Sequence, residues 1–567
     1  MQQKWGIRGM AVAPHSLASE SALAVLREGG NALEAMVAAA ATIAVVYPHM
    51  NSIGGDSFWV IHSPGKAMGG IDACGAAAGL ATKRWYAERG ITKAIPFRGP
   101  VAANTVAGTI SGWGAAHKLS QQGLGGKIPL SRLLADAIHY AEAGVPVTYS
   151  QSSLTAKKRE ELSPIPGFSK TFLVNGKAPV VGSIFKQDRL AKTLRQIATK
   201  GTDDFYRGDL ADLLAKELTD VGSPLRLDDL HRHHAKLIDP LELKHSLGNV
   251  YNMVPPTQGV VSLMIIGILD QLNLKRFKVD STEYFHHCVE ATKQAFKIRD
   301  QFVTDPAYMM KNAQSFLSPA FLKKLAKNID PNKALPWGQG KGPADTIWMG
   351  VIDGDGNCVS FIQSIYHEFG AGIVLPKSGV NWQNRGCSFS LDPKTLNHLE
   401  PYRKPFHTLN PAMALFKDGR SMVYGTMGGD GQPQTQCAVF TRTATYGLDP
   451  QDAISRPRWL LGRTWGQTSD SLKLESRFSP WVAKELHAMG HDIEMLDAFD
   501  ETVGHAGCII REPSGTLRGG WDPRSDGAVS AFSNKHFGYA QIPINSGCAQ
   551  SKNSEHTNHR TFDHILR

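Results

Sequence analysis

Hydrophobic and polar positions divide the chain into a first part with helical periodicity and a second part with strand-like patterning. Residues 15–47 are rich in Ala and Leu, and the half after Gly29-Gly30-Asn31 is apolar on every side, which predicts two helices with the second one buried. Two strands around a Ser-Pro-Gly-Lys turn are predicted within residues 51–75. Further helices are predicted over residues 130–145, 185–220, 261–272 and 281–302.

The pattern changes in the second half of the chain. From about Met310 to Asp345 the composition shifts to Asn, Lys, Pro and Gly, which predicts a flexible, cleavable linker. Residues 533–567 are polar without an apolar period, and we expect this tail to be poorly ordered. Between linker and tail, strands are predicted at residues 346–353, 357–365, 372–376, 412–416 and 421–425.

Composition narrows the class of protein. The chain has 567 residues and a formal net charge of +10, which predicts a mild attraction for anionic substrates. It contains no Lys/Arg block with interleaved aromatics, so nucleic acid is not an expected partner. Seven scattered cysteines without a CxxC pair predict thiols in a reducing compartment. The sequence contains no run of about 18 apolar residues, so we expect no membrane span. The N-terminal segment has no uninterrupted apolar run of the kind found in signal peptides, so the cytoplasm is the expected location.

Motifs of several common hydrolases are missing from the sequence, which contains no GxSxG, HExxH or P-loop. The histidine pairs in residues 231–234 and 285–288 could bind a metal, but adjacent histidines on a helix point in different directions, so structural histidines are expected. The turn at residues 353–357, DGDGN, lacks the spacing of a calcium loop. We therefore predict neither a metal nor a cofactor.

The stretch GTMGGDGQPQ, residues 425–434, follows a predicted strand and precedes a helix-like segment. Consecutive glycines let backbone N–H groups approach a ligand, which is the geometry of an oxyanion hole. A tight turn with a purely structural role explains this stretch equally well.

Thr346 stands between the predicted linker and a predicted strand. A Thr at the start of a strand is an ordinary structural residue, and that interpretation stays open for the residue alone. A second interpretation follows if the chain is cut before Thr346. Its free α-amine, with a pKa of about 8, could then accept the proton of its own hydroxyl, so one residue would supply nucleophile and base.

Taken in order, these features resemble the γ-glutamyltranspeptidase family of N-terminal nucleophile hydrolases over about residues 8–532. The stretches that carry the resemblance are GMAVAPHSLASESALAVLREGGNALEAMVA, NSIGGDSFWVI, DFYRGDLADLL, DDLHRHHAKLIDPL, VPPTQGVVSLM, DTIWMGVIDGDGNCVSF, EFGAGIVLPKSGV, KPFHTLNPAMALFKDGR, GTMGGDGQ and GGWDPRSDGAVSAF. The resemblance implies an α+β fold, the four-layer αββα sandwich. It also implies self-cleavage at Asp345-Thr346 into a large chain, residues 1–345, and a small chain, residues 346–532. The two chains would stay associated, and a pair of such heterodimers is a possible assembly.

The family's roles carry over residue by residue. Thr346 matches the nucleophile, and Gly428 and Gly429 match the pair whose N–H groups face the oxyanion. Ser364 falls where the family has a hydroxyl residue that can assist the free amine or the cleavage. Ile347 departs from the pattern, because a second Thr usually follows the nucleophile.

The substrate-binding positions depart further. Lys83, with Arg84 beside it, replaces the Arg that binds the α-carboxylate of a γ-glutamyl substrate. The remaining changes are Tyr366 for an Asn, Ser388 for the Asp that binds the α-ammonium, and His407-Thr408 for a Ser pair, with Arg385 three residues before Ser388.

These departures change the expected substrate. A Ser in place of the Asp removes a negative charge that an ammonium group needs, a loss of about 1–3 kcal/mol in a partly desolvated site. Arg385 would repel an ammonium group and attract a carboxylate. We expect hydrolysis of an amide in a small carboxylate-bearing substrate without an α-amino group, of the oxamate type. The alternatives are a γ-glutamyl hydrolase or transferase acting on glutathione-like substrates, a glutaryl-type acylase, and a non-catalytic binding homologue.

Overall fold

A computed structural model describes residues 2–338, 345–463 and 469–533. Its strands are β1 (Lys4–Gly6), β2 (Gly9–Ala13), β3 (Asp56–His62), β4 (Gly69–Ala73), β5 (Val145–Pro146), β6 (Ile184–Phe185), β7 (Lys236–Ile238), β8 (Leu241–His245), β9 (Gly248–Asn252), β10 (Asp345–Asp353), β11 (Cys358–Tyr366), β12 (Ala412–Phe416), β13 (Ser421–Gly425), β14 (Trp459–Leu461), β15 (Leu472–Glu475), β16 (Ile493–Leu496), β17 (Gly507–Arg511), β18 (Leu517–Trp521) and β19 (Ala528–Phe532).

The helices lie between these strands along the chain, singly or in runs of up to four. They are α1 (Ser16–Arg27), α2 (Ala32–Val46), α3 (Lys83–Ala87), α4 (Thr109–Gly123), α5 (Leu130–Leu133), α6 (Ala135–Ala143), α7 (Tyr149–Leu162), α8 (Phe168–Phe172), α9 (Asp188–Lys200), α10 (Asp204–Arg207), α11 (Asp209–Val221), α12 (Leu227–Arg232), α13 (Gly259–Gln271), α14 (Thr282–Phe302), α15 (Pro319–Lys327), α16 (Gly431–Phe440), α17 (Pro450–Ser455) and α18 (Pro480–Ala488). No helix in the described ranges is long and apolar enough to cross a bilayer.

Two seven-stranded sheets form the centre of the molecule. The first has the order β1-β18-β17-β13-β12-β9-β8, and the second has the order β19-β2-β10-β11-β3-β4-β7. Neighbouring strands are antiparallel throughout both sheets. Strands that are distant in sequence are therefore neighbours in space, and β10 and β11 lie between β2 and β3 of the N-terminal part.

Each sheet is buried on both faces, which produces four layers. On β3, Phe58 and Val60 point into the core between the sheets, whereas Trp59 points into the outer core that α2 and α4 cover. On β12, Met413 points between the sheets, and its neighbours face the opposite outer core with α13 and α16. This alternation follows from the two-residue period of a strand. The predicted αββα sandwich is confirmed.

Most predicted elements are present with small boundary changes. The break at Gly29-Gly30-Asn31 is real, because α1 ends at Arg27 and the Asn31 side chain caps α2 in a capping box with Glu34. Every residue of α2 is buried, as its uniformly apolar composition predicts. The strand predicted at residues 372–376 is absent apart from a single bridge of Val374, because this stretch forms a turn-rich connection.

The segment predicted as a flexible linker differs from that prediction over its first half. Residues 313–317 form a 3₁₀ helix and α15 follows directly, with Pro319 at its first position. The apolar side of this region packs with α13, through Phe316, Leu322 and Leu325. The Lys-rich composition of α15 hid its amphipathic period. Residues 339–344 and nearly all of the predicted tail, 534–567, lie outside the described residues.

Close packing at Trp348 gives a test of the layer arrangement. A Cβ atom at Gly507 of β17 would lie 2.4 Å from the Trp348 ring, whereas a Cβ at Gly69 of β4 would meet nothing within 4 Å. We expect Gly507→Ala to lower the free energy of unfolding by about 1–3 kcal/mol through overpacking. Gly69→Ala is the matched control. Thermal unfolding of both variants measures the difference, and equal midpoints would contradict the packing described for the central core.

Candidate active site

Thr346 lies at an irregularity between two central strands. The pairing of β10 with β11 changes register between Asp345 and Ile347, so Thr346 is opposite two residues of β11. Its side chain is fully buried, and Oγ1 donates a hydrogen bond of 3.1 Å to Ser364 Oγ. A bulge redirects a side chain and interrupts the hydrogen-bond ladder. The interruption here is next to the bond at which cleavage is predicted.

Ser364 connects Thr346 with the next strand. It is the cross-strand partner of Asp56 on β3, and its Oγ also accepts a hydrogen bond of 2.8 Å from the backbone N–H of Tyr366. Residues opposite each other on neighbouring strands face the same side of a sheet. Thr346, Ser364 and Asp56 therefore form a polar row across three adjacent strands, at one end of the second sheet.

Arg385 covers this row with a buried positive charge. Its side chain is 1% exposed, Nη2 donates to Ser364 Oγ at 3.4 Å, and Nη1 donates to Thr408 Oγ1 at 3.3 Å. Nε has no hydrogen-bond partner among the described residues. No carboxylate in the described ranges lies within ion-pair distance of this guanidinium. Burial lowers the pKa of Arg385, because the charged form is desolvated.

Tyr366 contacts the same guanidinium from the end of β11. Its φ angle is +81°, in the left-handed region that favours glycine or asparagine, at a cost of about 1–3 kcal/mol. The Arg385 Cζ atom lies 4.0 Å from the centre of the Tyr366 ring. A cation over a desolvated aromatic face gains about 2 kcal/mol, which is of the size needed to offset the backbone strain.

The predicted glycine pair forms the turn between β13 and α16. Gly428 has φ +115° and Gly429 has φ +53°, so both glycines adopt conformations that other residues avoid. Gly425, at the end of β13, packs directly on the Trp348 ring. Because Trp348 is two residues after Thr346, this contact places the turn and the nucleophile candidate at the same end of the sandwich.

Three buried residues that the sequence did not reveal connect this turn to Thr408, the residue that Arg385 contacts. Gln258 Nε2 donates to the backbone carbonyls of Thr408 and Gly429, each at 2.9 Å. Arg299 Nη1 in turn donates to Gln258 Oε1 at 3.1 Å and to Asp430 Oδ1 at 2.8 Å. An acidic residue directly after the glycine pair was the available signal for Asp430, whereas Gln258 and Arg299 are distant in sequence.

Four of these residues line one cavity. Its volume is about 380 Å³, and its wall includes Tyr366, Ser388, Thr408 and Asp430. The Ser388 hydroxyl donates to the Phe406 carbonyl at 3.5 Å. The structure therefore brings together Thr346, Ser364 and Arg385 with the predicted positions Tyr366, Ser388 and Thr408, beside a space that can hold a small molecule.

His407 lies behind this cavity wall and faces Asp56. Both side chains are fully buried, and His407 Nε2 is 3.4 Å from Asp56 Oδ2. Burial lowers the pKa of His407 well below its usual value, and the charge of Arg385 lowers it further. Burial raises the pKa of Asp56 to about 7, against the opposing effects of the Gly75 N–H group and Arg385. A charged residue at the start of a buried strand, as in GGDSFWV, was the signal that could have identified Asp56.

Lys83 and Arg84 lie elsewhere. Both are exposed on α3, and Arg84 Nε forms a surface ion pair of 2.8 Å with Glu88, one turn along the same helix. The Arg84 side chain is 88% exposed. This placement argues against their predicted role in binding substrate. The resemblance thus placed the carboxylate-binding role on a surface helix, whereas the buried guanidinium beside Ser364 is that of Arg385.

One group of side chains among the described residues has metal-binding spacing, namely His286, Glu290 and His491. His286 Nδ1 and His491 Nε2 are 2.9 Å apart and hydrogen-bond to each other, and Lys293 donates to Glu290 at 2.6 Å. Each ligand atom is thus paired within the protein, and the Lys293 charge opposes a cation there. The sequence-based expectation of no metal stays a prediction.

Comparison with known proteins identifies the family. The family profile described as Gamma-glutamyltranspeptidase matches residues 18–532. The chain belongs to the γ-glutamyltranspeptidase family. It is 57% identical over 524 residues to the oxamate amidohydrolase proenzyme of Klebsiella pneumoniae, which covers 92% of this chain and 98% of that protein. It is 40% identical over 529 residues to the glutathione hydrolase-like YwrD proenzyme of Bacillus subtilis, covering 92% of this chain and 98% of that one.

A solved structure agrees with the family assignment. The crystal structure of cephalosporin acylase from Bacillus halodurans superposes with a TM-score of 0.85 at 32% identity, covering 94% of this chain and 97% of that chain. Membership in the γ-glutamyltranspeptidase family confirms the predicted fold and the predicted enzyme class, an amide hydrolase. The relatives from Klebsiella and Bacillus subtilis are named proenzymes, which agrees with the prediction of a self-processed precursor.

The link through Gln258 predicts a positioning effect on the glycine turn. Gln258→Ala removes the donor to both carbonyls, and we expect a kcat about 10–100-fold lower with little change in KM, because the Gly429 turn loses its support. Gln187→Ala is the matched control, since Gln187 also donates to a backbone carbonyl, Val45, at 2.8 Å, away from the site. Steady-state kinetics of both processed variants test this expectation, and unchanged kcat in the Gln258 variant would contradict it.

Proposed function

We propose that the chain is an autoprocessing amidohydrolase that cleaves a short amide substrate with a carboxylate and no α-amino group, with oxamate as the favoured substrate. One observation carries this proposal. Arg385 is a fully buried guanidinium without a carboxylate partner in the described residues, and a single hydroxyl, that of Ser364, separates it from Thr346. A substrate carboxylate is the group that such a site stabilises best.

Processing begins at the hydroxyl of Thr346. Thr346 Oγ1 attacks the carbonyl carbon of Asp345, and the Asp345–Thr346 peptide bond becomes an ester as the Thr346 nitrogen is released. Water then hydrolyses the ester and leaves Thr346 with a free α-amine. The bulge at Thr346 and its hydrogen bond to Ser364 support this step, because they hold the hydroxyl beside an interrupted ladder.

Hydrolysis of the substrate uses Thr346 with the free α-amine that processing creates. The free amine accepts the Oγ1 proton, Oγ1 attacks the amide carbon, and the N–H groups of the Gly428-Gly429 turn stabilise the oxyanion. The ammonium group then protonates the amide nitrogen, the C–N bond breaks to release ammonia, and the acyl group stays on Thr346 as an ester. Water attacks this ester and restores the hydroxyl, so oxamate and water give oxalate and ammonia.

The short distance between nucleophile and guanidinium favours a short acyl group. In oxamate the carboxylate is bonded directly to the reacting carbonyl carbon, whereas three carbons separate the two groups in a γ-glutamyl or glutaryl substrate. The name of the Klebsiella relative agrees with the shorter substrate. Two carboxylates line the cavity, those of Asp300 and Asp430, and both contact Arg299, at 2.9 and 2.8 Å. They are therefore poorly suited to bind an α-ammonium group.

The compartment and assembly belong to the proposal as well. The six cysteines in the described ranges are all buried and free, which suits a reducing compartment such as the cytoplasm. The large and small chains share the central core, because β10 and β11 of the small chain pair with β2 and β3 of the large chain. We propose that they remain associated after cleavage, and native mass spectrometry would show whether two such heterodimers combine.

Processing is testable by replacing the nucleophile. We expect purified wild-type protein to contain a chain that begins at Thr346, whereas Thr346→Ala stays intact and lacks amide hydrolysis. Thr346→Ser is the control, because it keeps a hydroxyl and should retain processing at a reduced rate. Gel electrophoresis and mass spectrometry of the new N-terminus measure the outcome. Full hydrolysis by an intact Thr346→Ala chain would sink the proposal.

The carboxylate role of Arg385 predicts a selective effect on affinity. Arg385→Gln removes charge-assisted hydrogen bonds, and we expect KM for oxamate to rise by about 10–100-fold, corresponding to about 1.5–3 kcal/mol. Oxamide, a neutral analogue of the same shape, should show a much smaller change, and Arg385→Lys should recover part of the oxamate affinity. A parallel screen with glutathione and a glutaryl amide decides between the alternatives. Faster turnover of either compound than of oxamate would replace the proposed substrate.

A further inference from the structure

Asp56 and His407 form a buried pair that the proposed reaction does not use. Asp56 Oδ1 accepts backbone hydrogen bonds from Gly75 and Gly108, both at 3.0 Å. Asp56 Oδ2 and both ring nitrogens of His407 have no aligned hydrogen-bond partner within the described structure, although Oδ2 and Nε2 are only 3.4 Å apart and the Gln383 side chain lies close enough to Asp56 to lower its pKa. Buried polar atoms are rarely left unpaired. The two atoms are close but not aligned, so a proton on Oδ2 would pair with Nε2 after a small reorientation of the two side chains.

The charged surroundings of the pair are few. Arg385 acts on both residues, and Lys404 acts on His407 while its ammonium group binds Asp72 at 2.6 Å. The other titratable neighbours of Asp56 are the Cys74 thiol and the Tyr206 hydroxyl. Burial raises the pKa of both groups far above neutrality, so they remain uncharged. The net charge around the pair near neutral pH therefore depends on Arg385 and Asp56.

We propose that Asp56 and His407 are positioning residues that set the charge of the Arg385 site, with Asp56 taking up a proton from solvent when a carboxylate binds to Arg385. This inference rests on the proposed function, because it needs an anionic ligand at Arg385. The proton binds to Oδ2 of Asp56, and the resulting O–H group donates a hydrogen bond to His407 Nε2. His407 stays neutral and serves as the acceptor.

The direction of the effect follows from charge. When Asp56 is ionised, its charge compensates that of Arg385, and an incoming carboxylate is repelled by Asp56. When Asp56 is protonated, Arg385 is uncompensated and binds a carboxylate more strongly. Because the pKa of Asp56 is raised to about 7, both forms occur near neutrality. Carboxylate binding raises that pKa further, so protons are taken up on binding and affinity falls as the pH rises above about 7.

Proton uptake is measurable without turnover. Calorimetric titration of processed wild-type enzyme with oxalate at pH 7, in two buffers of different ionisation enthalpy, should show uptake of about half a proton per oxalate bound. Asp56→Asn keeps an oxygen for Gly75 and Gly108 and an N–H for His407, and it should bind oxalate with no uptake. Asp353→Asn is the matched control, because Asp353 is also a buried carboxylate with backbone N–H contacts, distant along β10. It should retain wild-type uptake.

Kinetics provide a second readout. KM for oxamate should rise with pH above 7 by up to about tenfold per unit in the wild type, and it should stay flat in Asp56→Asn, while kcat in both follows the Thr346 amine. KM for neutral oxamide should not show this rise. His407→Gln retains an acceptor for the Asp56 proton and should preserve the profile, whereas His407→Leu should shift it to lower pH.

The possible outcomes are distinct. Oxalate binding without proton uptake by the wild-type enzyme, or with equal uptake by Asp56→Asn, would overturn this inference and leave the proposed function intact. The absence of both oxalate binding and oxamate hydrolysis in processed enzyme would overturn the proposed function and this inference with it. The wild-type titration decides the question even if a variant fails to fold.

Discussion

The buried positive charge of Arg385 is the constraint on which the site depends. Removing a guanidinium from water costs several kcal/mol, and a protein normally offsets that cost with a carboxylate in contact. Here the compensating groups are two hydroxyls, an aromatic face and an acid without a direct contact, Asp56. A charge compensated in this indirect way gains strongly from an anionic ligand. Under the proposed function, the same property that makes the site costly to fold favours a substrate with a carboxylate.

The sandwich determines where this charge lies relative to Thr346, the proposed nucleophile. The second sheet supplies the row of Thr346, Ser364 and Asp56 from three adjacent strands. The first sheet supplies Thr408, just before β12, and the glycine turn just after β13. The layer of apolar side chains around Trp348 sets the spacing between the sheets. Since interiors are close-packed, a change in that layer would move the two halves of the site relative to each other.

Periodicity and resemblance predicted the layers, and the structure places the predicted site residues Thr346, Ser364, Gly428 and Gly429 at one end of the sandwich, where their catalytic roles stay a prediction. Periodicity and resemblance failed where a residue's meaning depends on a partner that is distant in sequence. Asp56 becomes informative only when β3 pairs with β11 and places it beside Ser364. Lys83 is exposed on α3, so the structure gives no support to the role that its matched sequence position suggested. Composition misled at α15, since lysines on one face concealed an apolar stripe on the other.

The departures from the family pattern are best understood as one physical change. Ser388 lacks the negative charge that an ammonium ligand would need. Because the family's Asp is replaced at this position, that Asp is also not available as an ion-pair partner for Arg385. Tyr366 then gains a purpose despite its unfavourable φ angle, because its ring contacts the guanidinium and also lines the cavity. In the further inference, Asp56 and His407 add a second element to this change. When the Asp56 carboxyl group is ionised it compensates the charge of Arg385, and when it is protonated that charge is available to an anionic ligand. In the proposed function, a site for an ammonium group has thus become a site for a carboxylate, while Thr346 keeps its role as nucleophile.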